Sequence, residues 1–100
     1  MDPENPILYD LKGYALYRQK NYDEAVQTLE RAIALDSKYI WGHYNLALAY
    51  WGADKRDQAV QEVRRVIELD SSFRDIIRGD GQFSKFRASE EFRKVMGEGT

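Results

Sequence analysis

A chain of 100 residues, 43% hydrophobic and 32% charged, is long enough for one folded domain with a modest core. Its 15 Lys and Arg nearly balance 17 Asp and Glu, a net charge of −2, so no long-range field draws nucleic acid or an acidic membrane to it. With no cysteine it can form neither disulfides nor thiolate metal sites, and no apolar run approaches the length of a membrane span.

The acidic, proline-containing start is unlike a signal peptide, and together with the lack of a spanning segment this points to the cytoplasm. From Ile7 to Lys20 apolar residues recur at helical spacing. Lys20-Asn21 forms a short turn. A second helix, Tyr22 to Leu35, carries Ala25, Val26, Leu29, Ala32 and Ile33 on one face and Asp23, Glu24, Gln27, Glu30 and Arg31 on the other. Asp36-Ser37-Lys38 breaks the pattern. A third helix then runs from Ile40 to Trp51, Gly52-Ala53-Asp54 turns the chain, and a fourth helix runs from Arg56 to Leu69. Beyond Asp70-Ser71-Ser72, the glycines at 79 and 81 limit any long helix. The spacing predicts a short helix near 72–78, a turn, a segment at 82–86, and a last helix capped by Ser89.

The helices repeat. A shift of 34 positions places Ala15, Asp23, Ala25, Val26, Gln27, Arg31, Ile33, Leu35, Asp36 and Ser37 on Ala49, Asp57, Ala59, Val60, Gln61, Arg65, Ile67, Leu69, Asp70 and Ser71. These are ten identities, where composition alone would give about two. Such a period marks a stacked helical repeat. Small residues recur where paired helices must approach: Gly13 with Ala25, then Ala47 with Ala59. Glycine inside a helix costs about 1 kcal/mol against alanine, so Gly13 needs a packing reason.

The segments LKGYALYRQKNYDEAVQTLERAIALDS and NLALAYWGADKRDQAVQEVRRVIELDS resemble tetratricopeptide repeats over residues 6–73. The resemblance departs at Ser37 and Ser71, where the family has proline, at Lys20 and Asp54, where a glycine is usual in the turn, and at Val66, where a small residue is expected. It implies an all-α, right-handed α-solenoid of two helix hairpins plus C-terminal capping helices. The division expected is 1–5 as the tail of a preceding repeat, 6–39 and 40–73 as the two repeats, 74–97 as the cap, and 98–100 as a disordered tail. Asp2-Pro3 falls in register with Asp36-Ser37 and Asp70-Ser71, so two readings of the start stand side by side: a cut from a longer array, or a natural start whose prolines open the first helix. Ile76, Ile77, Phe83, Phe86, Phe92, Val95 and Met96 are expected to cover the open flank of the second hairpin.

The first helices of successive hairpins line a concave groove in this fold. Its expected partner-binding residues are Asp10, Tyr14, Tyr17 and Arg18 on the first helix, and Trp41, Tyr44, Asn45, Leu48 and Trp51 on the third. The aromatic set is surplus to the core formed by Leu46, Ala47 and Tyr50, and rings with arginine are typical anchors of bound peptides. The resemblance also implies a test for one ligand class. Members that clamp the carboxylates of chaperone tails use Lys and Asn where this chain has Asp10 and Tyr14, and only Asn45 matches. The expected partner is therefore a protein or peptide with an apolar or aromatic segment, bound by a scaffold or adaptor module. Nucleic acid and membrane are not expected. The alternative is self-association into a dimer or filament through the same surfaces or through Leu8, Leu11 and Leu16. No catalytic set is recognisable: His43, the one histidine, has no nucleophile fixed beside it, and no phosphate-binding loop, cofactor motif or metal cluster is present in the sequence.

Overall fold

A computed structural model describes residues 4–97, apart from the side chain of Arg87. Six α-helices follow in chain order: α1 (Pro6–Arg18), α2 (Tyr22–Leu35), α3 (Ile40–Gly52), α4 (Arg56–Leu69), α5 (Phe73–Gly79) and α6 (Glu90–Val95). Short 3-10 turns at Gly81–Phe83 and Phe86–Ala88 join α5 to α6. No strand occurs among the described residues. Residues 1–3 and 98–100, on which the readings of a preceding repeat and a disordered tail partly or wholly rest, lie outside them.

Each long helix is set by local chemistry. Asn5 caps α1 by accepting the Ile7 N–H at 3.0 Å, with Pro6 at the first helical position. Both hairpin turns close with the same pair of bonds. In the first, Lys20 N–H donates to Tyr17 C=O and Asn21 N–H to Leu16 C=O; in the second, Asp54 donates to Trp51 and Lys55 to Tyr50. Lys20 (φ 67°) and Asp54 (φ 62°) take the left-handed conformation these turns demand, although neither is glycine. After each hairpin an aspartate closes the chain on itself: Asp36 accepts the Lys38 N–H and Asp70 accepts the Ser72 N–H, each at 3.0 Å. An aspartate turn therefore stands where the family uses proline.

Helices α1 and α2 pair, as do α3 and α4, while α3 also packs on α2 and α1. Gly13 is required by this packing: a Cβ there would lie 2.5 Å from Leu29 Cγ. Its neighbour is thus Leu29, one helical turn beyond the Ala25 expected from the repeat. Gly52, read as a turn residue, ends α3 and lies so close to the Tyr22 ring that a Cβ would collide with it.

The core is unevenly placed. A small cluster of Ala25, Val26, Leu29, Leu46 and Ala49 joins the hairpins. The larger one combines Tyr44, Leu48, Val60, Val63, Val66 and Ile67 with Phe73, Ile77, Phe83, Phe86, Phe92 and Met96 from the C-terminal segment. Ser89 caps α6 by accepting the Phe92 N–H, and α6 packs on α4. Ile76 departs from the expected cap: it is 42% exposed. In α5, Ile77 turns into the core, which leaves its neighbour Ile76 facing out.

Candidate binding groove

The concave face is formed by α1 and α3, which pack side by side. Residues Gly42 to Ala49 are all buried, so α3 is covered on every side. Three of those sides are α1, α2 and α4. The C-terminal segment supplies the fourth, and this changes the site expected from sequence. Tyr44 (4% exposed) meets Phe83 edge-on at 5.3 Å, and its hydroxyl donates to Asp80. Trp51 stacks on Phe86 at 4.3 Å and 24°. Leu48 is 1% exposed. Tyr44 and Leu48 are thus buried in the cluster that holds Phe83 and Phe86, and Trp51 is partly covered by Phe86.

Asp10 and Asn45 are also withdrawn from solvent, bound to each other. Asn45 Nδ2 donates to Asp10 Oδ1 at 2.8 Å, and the Tyr39 hydroxyl donates to Asp10 Oδ2 at 3.0 Å. The buried carboxylate thus ties α1 to α3 and to the loop before it. Burial together with the Asp10 charge and hydrogen bond pushes the Tyr39 hydroxyl up to about 12. Burial likewise raises Tyr44, helped by the Asp80 hydrogen bond and charge, and both hydroxyls stay protonated donors at neutral pH.

Trp41, Tyr14, Tyr17 and Arg18 stay accessible. Trp41 is 43% exposed and held edge-on by Tyr44 and Phe73, each at 5.1 Å. Tyr14 and Tyr17 are half-buried, 5.8 Å apart, and Arg18 is exposed. The Tyr14 hydroxyl donates to Gln82 Oε1 at 3.1 Å, a bridge from α1 to the C-terminal segment. On one side of that bridge lies a cavity of about 390 Å³ bordered by Trp41, Tyr44, Asn45, Ile76 and Asp80. On the other lies one of about 320 Å³ bordered by Tyr17, Tyr22, Trp51 and Lys85. Gln82, Asp80 and Ile76 were absent from the sequence-based set. A full turn of surplus rings on α3 was the signal that a second layer covers it, but nothing in the spacing says which residues of that layer reach α1.

His43 is buried and serves the scaffold. Its Nδ1 faces Glu62 Oε1 at 2.7 Å and its Nε2 faces the Ser37 carbonyl at 2.8 Å. Among the described residues no cluster of three or more His, Cys, Asp or Glu could hold a metal, and no helix is long and apolar enough to cross a membrane.

Two family models match the chain: one described as TPR repeat over residues 13–53 and one described as tetratricopeptide repeat over residues 42–73. Together they span residues 13–73, from the middle of α1 to the end of the second hairpin. The chain belongs to the tetratricopeptide-repeat family. Tetratricopeptide repeats are a protein-interaction fold, and the chain is an interaction module of that type. No curated protein matches it. Among solved structures it is similar to one described as the first TPR of Spaghetti (RPAP3) bound to the HSP90 peptide SRMEEVD. That match has a TM-score of 0.71 and 24% identity, over 96% of this chain and 67% of the other. At that identity the likeness is one of fold.

Proposed function

We propose that this tetratricopeptide module holds a protein segment against the uncovered half of its concave face, as part of a larger scaffold or adaptor. The single observation that carries the reading is Trp41: a large ring, 43% exposed, fixed by Tyr44 and Phe73 at the mouth of a cavity. A rigid aromatic anchor beside a preformed cavity loses little entropy on binding, which is how interface hot spots work. The bound segment is apolar or aromatic. An acidic tail such as the neighbour's SRMEEVD does not suit this face, because Asp10 occupies the place where a clamp would need a cation and already engages Asn45.

Trp41→Ala should abolish capture of the partner from a native lysate while leaving helical circular dichroism intact. Undiminished capture would falsify the groove reading. Trp51→Ala is not an equivalent test, because Trp51 supports Phe86.

A second reading has its own observation. On α1, Ile7 is 50% and Leu11 62% exposed, one turn apart on the outer flank, whereas Leu16 packs into the small cluster. That flank would drive self-association. Light scattering over a dilution series separates the two readings: a mass that stays monomeric removes self-association, and a tight dimer that Leu11→Glu dissociates supports it.

A further inference from the structure

The cavity beside Trp41 carries a charge bias as well as an apolar wall. Tyr14, Trp41 and Tyr44 present rings to it, and Asp80 is the one formally charged side chain among the described residues lining it. Asp80 accepts from the Tyr44 hydroxyl, from the Gln82 backbone N–H at 2.9 Å and from the Gln82 side-chain amide at 3.3 Å. All three donors are neutral, so they orient the carboxylate without cancelling its charge. Behind the wall, buried Asp10 adds a second carboxylate, and its other donor, Tyr39, is also neutral.

Asn45 reinforces the bias. Its nitrogen is committed to Asp10, which fixes the amide orientation, because a carboxylate accepts only from the NH₂ side. Its oxygen has no donor among the described residues. No fully buried side-chain N or O atom lacks a partner in the described structure, so that oxygen keeps some solvent contact, and Asn45 lines the cavity. The cavity therefore offers acceptors and aromatic rings, and no cationic side chain among the described residues lining it.

We propose that this cavity is a subsite for a cationic side chain, Lys or Arg, carried by the segment bound in the groove. The proposal rests on the groove reading above and names the residue type that reading leaves open. Aromatic rings attract an ammonium or guanidinium group, and the partly buried Asp80 carboxylate offers it an ion-pair partner. The stem of a Lys or Arg packs on Trp41 and Ile76 while the head donates to Asn45 and Asp80. An acidic side chain meets the Asp80 carboxylate and no cation among the described lining residues.

The test uses the whole chain, ¹⁵N-labelled, titrated with four pools of acetylated and amidated heptapeptides. The outer positions are degenerate apolar residues; the central one is Lys, Arg, norleucine or Glu. The Lys and Arg pools should bind about fivefold tighter than the norleucine pool, shift the Trp41 and Asn45 signals, and lose that advantage as salt rises. The Glu pool should bind weakest. Asp80→Asn should erase the cation preference. Asp57→Asn, which removes an exposed charge in the first turn of α4, should keep it. Equal binding of the Lys and norleucine pools overturns the subsite and leaves the groove standing. Binding of none also overturns it, and capture by Trp41→Ala then judges the groove separately. If Asp80→Asn loosens the fold, the wild-type salt series decides: a preference indifferent to salt overturns the proposal.

Discussion

Lys20 and Asp54 each hold a left-handed backbone that costs a non-glycine residue about 1 kcal/mol. Both are exposed, and the Arg56–Asp54 ion pair at 3.4 Å is too solvated to matter. Lys20→Gly and Asp54→Gly should therefore each stabilise the fold slightly, by up to about 0.5 kcal/mol in urea titration, because the extra entropy of an unfolded glycine offsets much of the relieved strain. Their repeat positions were legible in the sequence, because both stand where the family has glycine. Asp10 was legible as a residue type, but its burial was not. A carboxylate on a helix face looks solvent-directed until Tyr39 and Asn45, 29 and 35 residues away, are seen to donate to it.

At the scale of elements, α3 is pinned to the loop before it and to α4 by His43. Both ring nitrogens face acceptors, Glu62 and the Ser37 carbonyl, so only the imidazolium satisfies both. Burial alone would lower the His43 pKa, but the Glu62 hydrogen bond, the Ser37 carbonyl and the Glu62 charge outweigh it, even with Arg65 opposing, and the pKa ends above its ordinary 6.5. A raised folded pKa stabilises fully below 6.5, and that contribution is lost as pH rises through the folded value. Unfolding free energy should therefore fall across that window, and His43→Gln should flatten the fall in urea titrations at stepped pH. The four long helices were legible because their apolar spacing, turns and breaks agree with one another. The 3-10 turns between α5 and α6 have no such period and became visible only once Phe83 and Phe86 were seen to dock on Tyr44 and Trp51.

For the molecule as a whole, the C-terminal segment is as much core as cap. Phe83, Phe86 and Phe92 are among its largest fully buried side chains and pack on one another, with ring centroids 4.6–6.1 Å apart. Phe92→Ala should cost about 3–5 kcal/mol, a large share of what a domain this size commands. It should melt the second hairpin, which shares that core, at least as readily as the first, as read by amide exchange. A loss confined to α6 would mean that the segment is an independent appendage. The same arrangement explains the surplus of rings on α3. A helix apolar all round is a buried helix, and the residues that bury its concave side come from beyond the repeats.

Sequence alone determined the repeat, the helix pairs and the need for close approach at Gly13, though not its partner Leu29, because period, spacing and residue size act locally and are written in order along the chain. Which part of the concave face remains open was decided only by tertiary structure. That depends on where residues 80–86 lie across α1 and α3, a contact between segments up to 68 residues apart, and no local preference of Tyr14 or Gln82 encodes their meeting.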